Sequence, residues 1–527
     1  MLGLELVVAL GVSIMVCQIT GRRLHVAPTI LLVGAGVLLW FVPALRAVHL
    51  PPEAMLLLFL PALLYWEAIS TSLRQLRADF RGVMLMATVL VVATAAAVAV
   101  VAHAAGMPWG PAWVLGAALA PTDATAVGVI SRLLPARQMS LLRAESLIND
   151  GTALVVYGVA VAIAVGEQQF SWPRIGEMFV VSYVGGVCVG IVIAWVGLCV
   201  RRHLDDPLLI NLVIVLTPFT AYLLAELIHA SGVLAVVVAG LAVARVAPRI
   251  GSARARRMTE DTWSLVTFLL NASLFVLIGL EAQSAVRNLE SMSITGAVGL
   301  VMVVAVVLLV VRLVFQFVAI YLIRALDRRP SQRERRVSHR SRIVTSMAGL
   351  RGAVSVAVAL SVPETLDSGA PFPDRDLIIF VTIGVIVVQL LLQVPVLPAV
   401  VRWARLPADR SSEQEYLLAE ITAVQSALDA LDDTAAALHT DPAIVEQVRR
   451  GYEDHLQALR AAGRHEAGER PLPKQQYVAL RRALLDHKRD TVIHLRDQKR
   501  IDDTVLLRVQ TELDTEEAQL SPRPELE

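Results

Sequence analysis

Two short phrases in the first third of the chain combine residue types that could do chemistry with surroundings that should exclude them. ALAPTDATAV (118–127) sets Asp123 just behind Pro121, inside an apolar run from about Trp109 to Ile130. RAESLINDGTALVVYG (143–158) carries Glu145, Ser146, Asn149 and Asp150. Residues four apart share a helix face, so Ser146 aligns with Asp150, and Glu145 with Asn149 on the adjacent stripe. A proline removes one amide donor and clashes with the carbonyl a turn back, which frees backbone carbonyls near Pro121. Carboxylates, a hydroxyl and freed carbonyls are hard oxygen donors, a set that suits a small alkali cation better than thiolate or imidazole would. The histidines show no metal-like spacing.

The elements that must position these groups are membrane helices. Of 527 residues 56% are hydrophobic, and the mean hydropathy is +0.63, too apolar for an ordinary soluble globule. A spanning helix needs about 20 mostly apolar residues. Scanning at that length predicts about thirteen spans: 2–19, 27–45, 52–70, 81–104, 109–130, 141–166, 175–200, 208–229, 232–247, 262–281, 293–323, 343–362 and 377–402. The first lacks a basic leader and a small-residue cleavage site, and reads as a membrane helix rather than a signal peptide. Cys17, Cys188 and Cys199 all fall in apolar runs and read as small core hydrophobes.

Arginines cluster after alternate spans (Arg22 and Arg23, Arg74 and Arg77, Arg132 and Arg137, Arg201 and Arg202, then Arg249, Arg254, Arg256 and Arg257, and the run 324–342). Basic loops stay in the cytoplasm, so the expectation is a multi-pass cell-membrane protein with its N-terminus outside and its tail inside. The fifth and sixth spans are then antiparallel neighbours, and Asp123 and Asp150 can face one cavity at similar depth. Residues 1–405 form the expected membrane domain and 406–527 a cytoplasmic helical tail. Lysine appears only in that tail, at Lys474, Lys488 and Lys499. There Leu417, Ile421, Val424, Leu428, Leu431, Ala435 and Leu438 recur at steps of four and three, the stripe of a coiled coil or helical hairpin. Further helices are expected beyond Asp441-Pro442, the last over about 477–513. Nothing suggests a nucleic-acid partner.

An ionisable side chain deep in a bilayer costs about 2.5–3.5 kcal/mol on insertion scales and needs a partner, a cavity or a job. The deep ones are Glu67, Asp123, Glu145, Asp150, Glu226, Arg312 and Arg351. The twelfth span, TSMAGLRGAVSVAVALSVP, runs opposite to the fifth and places Gly349, Arg351 and Gly352 near its middle. It is the natural inverted counterpart of the broken fifth span, since transporters often build midplane sites from two such helices. Arg351 needs an anion, and Glu145 is its expected structural partner. Glu226 and His229 lie near an outer helix end and read as surface or packing residues.

APTDATAV, ESLINDGTA, SGVLAVVVAGL, NASLFVLIGLE and GLRGAVSVAVAL, in this order, resemble the monovalent cation:proton antiporter family of Na⁺/H⁺ exchangers, in its bacterial NhaP-like branch. The resemblance covers the membrane region to about residue 400. It implies an all-α fold of thirteen helices in two inverted repeats, with interrupted helices crossing at the midplane, a core domain beside a dimerisation domain, and a homodimer. It also implies a cation site at Asp123, Ser146 and Asp150 with the Thr122 carbonyl as a ligand and Asn149 beside it. Glu145 with Arg351 would be the structural ion pair. Glu67, near the ion path, and Arg312 would be accessory residues.

The reading that follows is a secondary transporter, not an enzyme, exchanging Na⁺ (or Li⁺ or K⁺) for H⁺ in pH and sodium homeostasis. Electrogenic relatives carry two adjacent aspartates where this chain has Asn149 and Asp150, which implies one-for-one, electroneutral exchange. The alternatives are a K⁺/H⁺ antiporter, an intramembrane aspartyl protease, whose GxGD phrase is absent, and a cation channel, for which no filter loop is visible. No nucleotide motif is present, so gradients drive transport and no cofactor is expected.

Overall fold

The computed structural model describes residues 2–24, 26–42, 55–78, 80–123, 134–166, 172–247, 250, 252–326, 338–406 and 411–465, with scattered positions after 480. The second half of the expected 109–130 span and most of the expected 477–513 helix lie outside the described residues. By packing, the chain divides into two compact units, Met1–Pro407 and Ala408–Glu527.

Among the described residues the first unit is helical, apart from one isolated bridge between Thr365 and Pro371. Its α-helices of eight or more residues are α1 (Leu2–Leu24), α2 (Pro28–Leu39), α3 (Leu60–Ser70), α4 (Val91–Ala104), α5 (Trp109–Leu119), α6 (Ala136–Val165), α7 (Trp172–Arg202) and α8 (Pro207–Leu227). They continue as α9 (Gly232–Val246), α10 (Ala253–Arg287), α11 (Ile294–Leu326), α12 (His339–Met347), α13 (Ala353–Leu360), α14 (Arg375–Val388) and α15 (Val394–Ala404). Eight stretches of the described residues are long and apolar enough to cross a membrane. The chain is therefore a polytopic helical membrane protein.

Local chemistry explains where these helices begin. Ser231 Oγ accepts from the Leu234 N–H (3.2 Å), Ser252 Oγ from Ala255 (3.2 Å) and Asp206 Oδ1 from Leu208 (2.9 Å), each satisfying an amide that the first turn leaves open. Single wide π-helical turns interrupt two helical runs, at Met86–Leu90 before α4 and at Gln389–Gln393 between α14 and α15. Such turns insert a residue and are frequent at functional sites.

Two apolar clusters flank α6. One gathers residues of α2, α4, α5, α10, α11, α13 and α14, and the other residues of α3, α7, α8 and α9. Leu142 and Tyr157 of α6 belong to the first and Leu147 to the second. The outward faces of α7 and α8 present Val184, Ile191, Trp195, Leu212 and Leu223, all exposed, as a lipid-facing surface should. The three cysteines are free; Cys17 is buried, whereas Cys188 is exposed, so the core reading does not hold for Cys188.

In the second unit, α16 (Ser411–Asp429), α17 (Leu431–Ala437) and α18 (Pro442–His465) form a helical hairpin. Arg449 pairs with Asp432 at 2.6 Å, and Arg460 donates to Gln425 at 2.8 Å. Leu417, Ile421, Val424, Leu428, Leu431 and Ala435 of the heptad stripe are half-buried, whereas Leu438 is exposed.

One close helix crossing joins α2 to α10. A Cβ on Gly36 would overlap the Val276 carbonyl, and one on Gly279 the Val33 carbonyl, so only hydrogen fits between the backbones. Because backbone is the obstacle, Gly36→Val and Gly279→Val should each lower stability by about 3 kcal/mol or more. Gly34→Val, on the open face of the same α2, should change it by less than about 0.5 kcal/mol. Thermal unfolding of the purified proteins in detergent checks the contrast.

Candidate ion-binding site

The site is built where two helices stop in the interior. Helix α5 ends at Leu119, since Pro121 can neither donate nor tolerate the preceding turn. Residues Pro121 to Asp123 continue without helical structure. The second break separates α12 from α13 over Ala348 to Gly352. The two breaks touch directly, because the Asp123 N–H donates to the Leu350 carbonyl at 2.8 Å. A Cβ on Gly352 would collide with the Asp123 carboxylate. Glycine there lets the carboxylate approach the N-terminus of α13, where the helix dipole favours negative charge.

The opposite end of the dipole problem falls to Arg351, which is 2% exposed. Its Nε donates to the Leu119 carbonyl at 2.9 Å and its Nη1 to the Gly349 carbonyl at 2.7 Å. One cation thus caps the carbonyl ends left by α5 and by the α12 break. The Arg351 N–H donates to Gln389 Oε1 at 2.9 Å, and the Gln393 amide donates to the Met347 carbonyl. Both glutamines come from one π-helical turn, so it holds the second break from either side.

This arrangement corrects the expected ion pair. Glu145 (5% exposed) pairs with Arg312 (2% exposed), Oε1 to Nη1 at 2.7 Å, and not with Arg351. Arg351 still feels the Glu145 charge through space, but its donors are committed to backbone carbonyls. Arg312 also donates from Nε to the Thr345 carbonyl at 3.3 Å. It reaches across the second break because position 349 is glycine, where a Cβ would overlap the guanidinium.

On α6, Ser146 Oγ donates to the Thr122 carbonyl at 2.5 Å, and the Asn149 amide donates to Thr122 Oγ1 at 2.7 Å. Adjacent turns of α6 therefore hold both the backbone and the side chain of Thr122 beside the first break. Asp150, one residue on, is 4% exposed. Asp150 lies within electrostatic range of both Asp123 and Glu67, and Glu67 within range of Asp123. Glu67 Oε1 is buried and has no hydrogen-bond partner among the described residues, so α3 brings the expected accessory carboxylate to the two aspartates. A cavity of about 10 Å³, roughly one water, lies on the ion-pair side, among Thr122, Glu145, Asn149, Arg312 and Arg351.

The structure therefore gathers Asp123, Thr122, Ser146, Asn149, Asp150 and Glu67 around the first break, and Glu145, Arg312 and Arg351 around the second. Sequence reasoning missed Gln389 and Gln393. Their signal was present: two amides four apart in the apolar run VIVVQLLLQVPV.

Removing one partner of a buried pair strands the other, at about 3–5 kcal/mol. Glu145→Gln and Arg312→Gln should each lose about that much stability. In double-mutant cycles the Glu145–Arg312 coupling should exceed the Glu145–Arg351 coupling by at least about 1 kcal/mol. Equal couplings, read from thermal unfolding, would mean that Glu145 does not discriminate between the arginines.

The chain is similar to known proteins in sequence and in fold. The family described as "Sodium/hydrogen exchanger, transmembrane" matches residues 9–403. An uncharacterized Na⁺/H⁺ exchanger of Mycobacterium tuberculosis (strain ATCC 25618 / H37Rv) is 42% identical over 521 residues, covering 98% of this chain and 96% of that protein. That match extends beyond residue 403 into the second unit. The Na⁺/H⁺ antiporter ApNhaP of Aphanothece halophytica is 31% identical over 441 residues, covering 83% and 80% of the two chains. A sodium, potassium, lithium and rubidium/H⁺ antiporter of Bacillus subtilis (strain 168) is 31% identical over 407 residues, covering 74% and 60%. The solved sodium proton antiporter MjNhaP1 from Methanocaldococcus jannaschii shares the fold, with a TM-score of 0.59 at 17% identity over 76% of this chain and 99% of that one. With three quarters of its length matched by the family and a site assembled where two helices break, this chain belongs to the sodium/hydrogen exchanger family of membrane transporters and is not an enzyme.

Proposed function

We propose that this protein exchanges one monovalent cation, Na⁺ foremost, for one H⁺ across the cell membrane, in sodium and pH homeostasis. The observation that carries the reading is the oxygen cluster at the first break: the Asp123 and Asp150 carboxylates beside the Ser146 hydroxyl and the Thr122 carbonyl. Cation and protons compete for the two carboxylates, which titrate as a coupled pair. A cation entering from one side displaces protons, and protons displace it on the other. Ser146 Oγ and the Thr122 carbonyl are 2.5 Å apart and hydrogen-bonded, so they must part to admit a cation between them. That exchange of a hydrogen bond for a metal bond couples binding to movement of the first break. Li⁺ and K⁺ are the alternative substrates, and the multi-cation name of the Bacillus subtilis relative makes K⁺ the first competitor to measure.

The wider architecture goes with this reading. The breaks at Pro121 and at Gly349 to Gly352 sit in helices that belong to two inverted repeats within a thirteen-helix domain. Part of the exposed apolar surface supplies a homodimer contact while the rest faces lipid, and arginine bias puts the N-terminus outside and residues 406–527 in the cytoplasm. Asn149 supports one-for-one stoichiometry, since its amide donates to Thr122 Oγ1, a bond that an aspartate in its ionised form could not donate. The position thus holds the break in place and adds no proton to the cycle.

Asp150→Asn removes a buried charge and should fold and insert normally, yet abolish Na⁺-driven proton movement in proteoliposomes. Asp123→Asn should impair it as well. Normal exchange in Asp150→Asn would sink the site assignment. For stoichiometry, a potassium diffusion potential set with valinomycin should leave the flux unchanged, because one-for-one exchange moves no net charge. An uncompensated charge would couple at about 2.3 kcal/mol per 100 mV, and a several-fold change in flux would exclude one-for-one exchange while leaving antiport standing.

A further inference from the structure

A cavity of about 690 Å³ lies away from the ion site, where α7 and α9 end and α8 and α10 begin. Four helix ends at one level mark a membrane face. The lining includes Arg201 and Arg202 from the last turn of α7 and Arg245 from the last turn of α9. Asp205 is the one carboxylate among the lining residues, and Ser252 there caps the N-terminus of α10. None of the three arginines is in an ion pair among the described residues.

Arg201 is the telling member. It is 7% exposed, and its Nε and Nη1 are buried with no hydrogen-bond partner among the described residues. Its electrostatic neighbour Tyr65 is a phenol rather than a carboxylate. A guanidinium held out of water with two sealed, unpartnered donors is costly, and an anion in the adjoining cavity offsets that cost through its charge. Arginine's planar fork matches phosphate oxygens, and the start of α10 adds a favourable dipole from the same side. Basic pockets between membrane helices at the cytoplasmic face suit anionic headgroups.

We propose that this cavity binds a phosphate-bearing anion, with Arg201 as the buried anchor and Arg202 and Arg245 closing over it from the rim. The chemistry is shared by an anionic lipid headgroup and by a soluble phosphate ester, and the test separates the two sources. The purified full-length protein, stripped of lipid in neutral detergent, is titrated with phosphatidylglycerol, with phosphatidylcholine and with glycerol 3-phosphate, binding being read by native mass spectrometry. Phosphatidylglycerol should bind at least about tenfold more tightly than phosphatidylcholine. The double variant Arg202→Gln/Arg245→Gln alters only exposed side chains and so keeps the fold; it should lose that preference, as should Arg201→Gln. Binding of glycerol 3-phosphate that competes with phosphatidylglycerol identifies a soluble ester as sufficient, whereas binding of the lipid alone identifies a headgroup at the membrane face. The proposal is overturned if neither phosphate compound is preferred over phosphatidylcholine, or if the preference survives intact in the double variant.

Discussion

Everything at the site depends on one constraint: two helices end inside the membrane domain, and each end exposes backbone groups that lipid cannot satisfy. The fold meets the constraint by crossing the ends. The Asp123 N–H bonds the Leu350 carbonyl, Arg351 collects the Leu119 and Gly349 carbonyls, and the Asp123 carboxylate lies against the start of α13. Each broken helix so completes the other, positive group to carbonyl end and negative group to amide end. Without Arg351 the α5 carbonyl end would be unpaired, and with any larger residue at 352 the carboxylate could not approach.

Helix α6 carries the rest of the site because it lies between the two apolar clusters. Its Leu142 and Tyr157 pack one way and Leu147 the other, which leaves Ser146, Asn149 and Asp150 facing the first break. The hydrogen bonds from Ser146 and Asn149 to Thr122 tie that break to α6. Movement of the break relative to α6 must then be felt by the oxygens that would hold a cation. Glu67 enters from the second cluster, on α3, so carboxylates from α3, α6 and the first break share one electrostatic environment.

The ion pair and the π-helical turns are a second layer of support. Glu145 and Arg312 neutralise each other beside the second break while Gln389 and Gln393 fix its backbone. A buried charge pair and two amides are expensive to maintain in an apolar interior unless each donor and acceptor finds geometry this specific. They hold the second break from one side, while Ser146 and Asn149 hold Thr122 of the first break from the other.

Sequence by itself determined the solvent, the helical class and the residues that could not rest in lipid. Hydropathy over 20 residues, the proline at 121 and the glycines around 351 are local signals, and local physics decides whether a segment is buried and where its helix stops. Asp123, Ser146, Asn149 and Asp150 were legible for the same reason, since spacing within one helix fixes which of them share a face. The partner of Glu145 was not legible. Arg312 and Arg351 are both deep, both cationic and both remote in sequence, and the choice turns on the rotation and depth of α11 against α6, which only packing of the whole domain sets. The same holds for Gln389 and Gln393 holding the second break. Tertiary structure also made the arginines that close α7 and α9 into the lining of one cavity, where the chain alone showed only the basic ends of separate helices.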